Sequence, residues 1–515
     1  FCLSRGLGDV YKRQILQAMC ERERCPIAVV GETTKERQLF LVDTKQAEGS
    51  DEHLPIDMPM EVLLGKPPRM HRDVKRLEKQ LPEIDLTDVS LDQVASWVLQ
   101  HPTVASKSFL ITIGDRTVGG LNARDQFVGP WQVPVADAAV TLMDFKGYRG
   151  EAMSMGERTP LAVMNAPAAA RMAVAESITN ILSADIDSIE DIKLSANWMA
   201  ACGNPGEDAK LFDSVKAVGM ELCPALGISI PVGKDSLSMR TQWDDEKTQE
   251  KKAVTSPVSL IISAFAPVID TRKTTTPLLQ VKDEQGQALD TEIVLIDLGR
   301  SKSRMAGSIL AQVIDQAGQA TPDLDDPTDL KNLAAAIIKM RRQGMLLAYH
   351  DRSDGGLFAA ATEMAFTSHV GVSLNVDMLV LDKDHESDYG DAKNWAQQVS
   401  GRRNDLTLRA LFNEELGALI QVKRSDRDAV FAILKEHNLY SCSHVVAKPN
   451  TNGQVEIWRD AKKIFDVPRH VLHKLWQSTS WQIARLRDNP ACADSENDLI
   501  DQITDPGMQP KLSFD

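Results

Sequence analysis

Basic charge, aromatic side chains and long apolar runs are all scarce in this sequence, and each scarcity closes off a class of function. Lys and Arg number 58 against 73 Asp and Glu, a formal charge of −15. That balance argues against a broad surface for nucleic-acid phosphates, though a local basic patch stays open. Aromatic residues are 5% of the total and none interleaves with a basic cluster. The longest nearly apolar run, Ser256 to Ile269, is short, holds two prolines and cannot span a bilayer. Seven cysteines spread over 515 residues make no disulfide framework. They suit a reducing compartment, so the expected location is cytoplasmic, with no membrane and no nucleic-acid partner. Cys20 and Cys25 are the one close pair, with no second pair and no His cluster nearby.

What is present is ordinary globular composition, 43% hydrophobic and 25% charged. The length suffices for about two to four domains. Phe1 to Gln14, FCLSRGLGDVYKRQ, has no apolar core or small-residue cleavage site, so it is not a signal peptide. It reads as a non-native junction. The turn-rich TDPGMQPKLSFD at the far end reads as a linker, and both ends suggest part of something longer.

Between them, hydrophobic periodicity predicts strands at Ile27–Gly31, Leu39–Val42, Phe109–Ile113, Val133–Ala136 and Val258–Phe265. Helices are expected at Asp73–Gln80, Leu91–Leu99, Ala166–Ser183 and Asp208–Leu226. After a polar stretch at 271–291, strands are expected at Glu292–Leu298, Leu346–His350 and Leu416–Val422. Helices are expected there at Met305–Ala317, Leu330–Gln343, Leu357–Phe366 and Arg427–His437. Strands alternating with helices predict an α/β or α+β fold, with its main domain boundary near 270–291.

Hard oxygen donors stand out. Asp137 ends VPVAD, Glu176 and Asn180 sit four residues apart on one helix face, and Asp351 opens HDRSDGGL. Donors of this kind suit Mg²⁺, which is held by few carboxylates plus substrate phosphates. On spacing alone, Glu176 and Asn180 read more readily as solvated helix residues than as ligands. In HDRSDGGL, Ser353 or Asp354 would cap the following helix, whose Gly-rich start could also face a phosphate; Walker spacing is absent. Lys234 reads as a surface residue or a phosphate partner, and His350 as a structural strand-end histidine.

The segments VPVADAAV, GEAMSMGERTPLA, AVAESITN, LSANWMAACGNPGEDAKLFDSVKAVG, SIPVGKDSLSM, HDRSDGG and LFNEELG run in order along the chain. Together they resemble the second half of large-type phosphoribosylformylglycinamidine synthase, from about Cys25 onward. The resemblance implies an A-plus-B unit of the aminoimidazole ribonucleotide synthetase-like superfamily. Residues 15–61 would end a first B unit, 62–104 form a linker, 105–275 the second A unit and 290–475 the second B unit. Residues 476–515 would lead to a missing glutaminase. The family converts formylglycinamide ribonucleotide, ATP and glutamine-derived ammonia into formylglycinamidine ribonucleotide, through an iminophosphate, in purine biosynthesis.

Asp137, Glu176, Asn180 and Asp351 match the family's Mg²⁺ ligands, and Ala136 (through its backbone) and Ser353 match its nucleotide contacts. The cofactors implied are Mg²⁺ with ATP or ADP, at an auxiliary site. No catalytic residue is assigned, because the first A unit and the glutaminase are not in this sequence, and the fragment alone is expected to be inactive. A stand-alone nucleotide-binding or regulatory protein of the same fold is the alternative. A related single-unit enzyme, such as aminoimidazole ribonucleotide synthetase or selenophosphate synthetase, is a further one.

Overall fold

The apolar stretch IVLI within EIVLIDL lies on a strand buried on both faces, and it shows how the chain is layered. In a computed structural model, residues 10–66, 71, 73–77, 80–114, 116–117, 119–380, 395–511 and 513 are described. They fall into two compact units divided between Asp73 and Val74. No described helix is long and apolar enough to cross a membrane.

The first unit holds α1 (Val10–Arg22), an antiparallel hairpin of β1 (Gln38–Leu41) and β2 (Ile56–Pro59), and the short α2 (Met60–Leu64). Residues 1–9 of the expected junction lie outside the described residues, while Val10–Gln14 begin α1. Ile27–Gly31 is not a strand: the described chain there pairs with nothing.

The second unit opens without the expected helix at 73–80. Residues 73–77 and 80 have no regular structure, 78–79 lie outside the described residues, and Arg76 instead pairs with Asp213 at 2.7 Å. Then come α3 (Leu91–Gln100) and α4 (Ser108–Ile111). The expected strand at 109–113 is therefore a helical turn; its apolar run has no strand neighbour to pair with. Likewise Val133–Ala136 forms only one bridge, Val128 to Val133, because Pro134 has no N–H for a ladder.

Next follow β3 (Asn122–Arg124), β4 (Ala139–Leu142), β5 (Gly150–Glu157), α5 (Ala166–Ile181), β6 (Lys193–Met199), α6 (Glu207–Lys216), α7 (Cys223–Leu226) and β7 (Ser229–Ser236). An exposed hairpin, β8 (Arg240–Asp244) with β9 (Lys251–Thr255), precedes β10 (Ser259–Val268). These strands build a six-stranded sheet in the order β3-β4-β5-β10-β6-β7, antiparallel except between β6 and β7. Helix α5 lies across β5 and β10. Asn165 caps it by accepting from Ala168 N, and Pro167 fits its first turn.

After β11 (Thr291–Asp297) come α8 (Ile309–Val313), α9 (Pro327–Arg342), β12 (Ala348–Arg352), α10 (Gly356–Ser368) and β13 (Gly371–Asn375). The helix expected over 305–317 shortens to α8, which Ser308 caps. Then follow α11 (Trp395–Phe412), β14 (Gly417–Lys423), α12 (Arg427–Glu436), β15 (Ser443–Asn450), β16 (Gln454–Arg459), β17 (Lys462–Pro468), α13 (Arg469–Arg487) and α14 (Pro490–Asp498). The second sheet runs β12-β14-β11-β15-β13-β16-β17, antiparallel except between β13 and β16.

Strand β11 explains the layering. Val294 and Ile296 join an apolar core shared with α5, α9 and the first sheet, while Ile293 and Leu295 face a second core with α3, α10 and α13. Side-chain alternation splits one run between two cores, so no polar position interrupts it. The result is a mixed α/β architecture of two sheets that share a core.

Candidate functional site

At the sheet edge, β12 ends in His350, Asp351 and Arg352, all buried. Asp137, in the irregular segment just before β4, comes to meet them. Its Oδ1 lies 2.7 Å from His350 Nδ1, and Asp351 N donates to the same oxygen at 3.4 Å. The other ring nitrogen of His350, Nε2, lies 2.9 Å from Glu363 Oε2 on α10. One ligand-type atom from each of Asp137, His350 and Asp351 lies within 4.8 Å of the others. Both nitrogens of His350 are already bonded, so its ring is a brace between two carboxylates.

Glu176 reaches this region from α5, and Asn180 lies one turn further along the same helix. Gly156 makes that approach possible: a Cβ there would stand 2.2 Å from Ala173 O and 2.5 Å from Ser177 N. With only hydrogen at Gly156, Glu176 Oε2 accepts Glu157 N at 2.8 Å and Asn180 Nδ2 donates to Met155 O at 3.0 Å. Glu176 feels the charges of Arg158, Asp354 and Asp351, but is not one of the three closely grouped residues.

The turn after β12 departs from expectation. Neither Ser353 nor Asp354 caps α10; Gly355, at φ +81°, occupies the cap. Ser353 O accepts Gly356 N at 3.0 Å, and Gly355 N donates to Glu414 Oε1 at 2.8 Å. Those two N–H groups are taken by the protein, so the glycine pair is not an open phosphate cradle. The glycines serve close packing instead: a Cβ at Gly356 would meet Asn413 O at 2.6 Å. Asp354 turns to Arg158, whose Nη1 donates to it at 3.0 Å and whose Nη2 donates to Glu414 Oε2 at 2.8 Å. Arg158 is 4% exposed and ties the end of β5 to both the β12–α10 turn and the α11–β14 loop.

Charge is unbalanced here. Asp137, Glu176, Asp351, Asp354, Glu363 and Glu414 gather around Arg158, His350 and Lys107. Burial, reinforced by Asp137, pushes the Asp351 carboxyl up to about 8, with His350 and Arg158 opposing. Burial raises Glu176 well above the usual carboxylate range, and Glu414 to about 7. Burial acts against the His350 imidazolium, yet Asp137 and Glu363 outweigh it and hold His350 well above its ordinary value. Lys107, lowered by burial but supported by Glu363 and Asp354, donates to Thr103 O at 2.8 Å.

A divalent cation suits this donor set. Asp137 Oδ2 and Asp351 Oδ2 are buried with no hydrogen-bond partner, and an orphaned carboxylate oxygen is costly unless something positive meets it. Both are hard oxygens of the kind Mg²⁺ takes.

Ala136, next to Asp137, gives its N–H to Gln126 O at 3.2 Å. Ser353 is half-buried. Lys234 is exposed and donates to Ser236 Oγ, which fits the surface reading. Sequence reasoning left out Glu363, Glu414 and Lys107. Glu363 had one visible signal, as the sole charge within the otherwise apolar helix GLFAAATEMAFTS.

Residues 106–267 match the family model described as an FGAR-AT PurM_N-like domain, and residues 292–456 match the C-terminal domain of AIR synthase related proteins. Among solved structures, the chain is similar to T. maritima PurL complexed with FGAR, at 13% identity and a TM-score of 0.52, covering 74% of this chain and 53% of that one. It is also similar to T. maritima PurL complexed with ADP, at 13% identity and a TM-score of 0.48, covering 74% and 51%. The chain thus spans about half the length of the PurL chains it matches.

The two-sheet architecture and the matched domains define an AIR synthase-like fold. Within that fold, residues 106–267 are similar to the FGAR-AT type of domain.

Proposed function

We propose that this chain is the second half of the synthase core of an ATP- and glutamine-dependent ligase, phosphoribosylformylglycinamidine synthase, and that it carries an auxiliary Mg-nucleotide site. Asp137, Glu176, Asn180 and Asp351 would hold the cation, and the backbone of Ala136 with Ser353 would contact the nucleotide. The observation that carries this reading is the pair of orphaned oxygens, Asp137 Oδ2 and Asp351 Oδ2, in a buried cluster rich in carboxylates. Bound Mg²⁺ supplies positive charge to phosphate oxygens.

The chain's own residues do the positioning. Glu363 holds His350, and His350 engages Oδ1 of Asp137, so Oδ2 is the oxygen left for an ion. Arg158 offsets the acids on the other side of the cluster and joins the two sheets around it. Formylglycinamide ribonucleotide, ATP and ammonia would be substrates of the whole enzyme, with the first half and the glutaminase as partners. An exposed apolar strip supports a missing half: Phe265 on β10 stands directly opposite Met153 on β5, with Met155 beside them. Exposed rings and thioethers on a sheet face mark a docking surface.

The test is equilibrium dialysis of the purified chain with Mg-ADP, together with an ammonia-dependent synthesis assay. Saturable nucleotide binding without product formation supports the reading. Absence of Mg-dependent binding, after any co-purified nucleotide is removed, sinks the site; product formed by the chain alone sinks the auxiliary role.

A further inference from the structure

A cavity of about 940 Å³ opens between the segment 108–134 and the C-terminal helices α13 and α14. The carboxylate cluster contributes none of its lining. Along α13 its wall is a stripe from His473 through Gln477 and Trp481 to Ala484, with the spacing of one helix face. Arg469 lies one turn before His473 on the same stripe, at the start of a helix with no acid in its first turn.

Three features of this end point to a ligand. Arg469 is 2% exposed, no carboxylate pairs with it among the described residues, and its Nη1 has no acceptor. A buried guanidinium without a counter-charge is expensive, and burial alone draws its pKa down to about 10. His473, 6% exposed, and Asn497, 7% exposed, both line the cavity with a buried polar atom unsatisfied, Nδ1 and Oδ1. His369 lines it too, its Nδ1 also without a partner, and its ring stacks on Trp131 with centroids 3.9 Å apart. Burial, then Arg469, pushes His369 down to about 3, so both imidazoles are neutral and each can donate one N–H.

The other charges on the wall are already engaged or outward. Arg487 pairs with Asp488, Arg116 with Asp125, Asp505 accepts Gly507 N, and Glu496 is exposed. What remains are the two lining histidines, both within the field of Arg469, which lies behind the lining, next to aromatic walls from Trp131, Phe127 and Trp481.

We propose that this cavity binds a small organic anion, a planar ring bearing a carboxylate or phosphate. The acid group meets His369, His473 and the field of Arg469, and the ring packs among the aromatic residues. The site is separate from the Asp137 cluster and does not depend on the nucleotide reading of that cluster.

Calorimetric titration of the whole chain in EDTA, which disables any cation-dependent site, tests this. The probes are AMP and nicotinate as ring-bearing anions, with adenosine, nicotinamide and inorganic phosphate as the matched compounds lacking one part. Binding of AMP or of nicotinate is expected, with the matched compounds about tenfold weaker or worse, as loss of a charge-assisted bond implies. The better of the two anions identifies the headgroup. Arg469→Met and Trp131→Ala should each weaken that binding about tenfold, whereas Asp137→Asn should leave it unchanged. Arg469→Met should also melt no lower than the parent, since it removes an unpaired buried charge, and Trp131→Ala tests the site if that variant fails to fold. The proposal falls if neither anion binds, if adenosine and nicotinamide bind as well as their acids, or if both pocket variants bind like the parent.

Discussion

His350 Nδ1 stands 2.7 Å from Asp137 Oδ1, and this contact joins the segment before β4 to the end of β12 across 213 residues of sequence. It fixes which oxygen of Asp137 is spent on protein and which is left bare. The first prediction follows. Mg-ADP should raise the melting temperature of the parent, because ligand bound only to the folded state stabilises by mass action, about 2.7 kcal/mol at a hundredfold excess over Kd. Asp137→Asn should largely remove the shift, and Asp283→Asn, in a remote turn, should preserve it. Equal shifts in all three proteins would show that Asp137 holds no cation.

Glu363 tests the brace. Glu363→Leu removes the acceptor of His350 Nε2, while Glu363→Gln keeps an oxygen in place. Partners that orient a metal ligand typically matter about 10–100-fold in affinity. Mn²⁺ titration followed by electron paramagnetic resonance should show such a loss in the Leu variant and recovery in the Gln variant. A loss of the same size in both would contradict an orienting role.

Arg158 tests the link between the sheets. Arg158→Met strands Asp354 and Glu414, and breaking a buried pair in this way costs about 3–5 kcal/mol. The double variant Arg158→Met with Glu414→Gln should recover part of that loss in urea unfolding. Additive losses would mean that the two side chains do not depend on one another.

His473 tests the pH response. Its folded pKa lies well below the ordinary value, through burial and then Arg469, so the unfolded chain binds its proton first. Stability should therefore fall as pH drops below about 6.5, with each such histidine adding a slope of up to about 1.4 kcal/mol per pH unit. His473→Gln should flatten the curve below about pH 6.5 by about one histidine's share. An unchanged slope would place a charged His473 in the folded protein.

The elements legible in the sequence were those with a long, consistent period. Helices α5, α9, α10 and α12 and strands β11 and β14 appear within a few residues of expectation, because caps such as Asn165 and Asp326 coincide with their apolar patterns. Short apolar runs misled. Phe109–Ile113 has strand-like composition but no partner strand, and its turn is set by Lys107 O accepting Leu110 N. The site was half visible: Asp137, Glu176, Asn180 and Asp351 came from motif resemblance, but spacing alone could not bring α5 to β12. His350 read as structural because its two acceptors come from the 137 segment and from α10, and only the folded register unites them.

The Arg158 link has a consequence for how residues 74–515 come apart. One sheet cannot peel away without exposing the shared apolar core and stranding a guanidinium or two acids in a dry environment. A state with only one sheet formed would bear both costs at once. Heating should therefore melt the two sheets in a single transition, with calorimetric and van't Hoff enthalpies in agreement for that part of the chain.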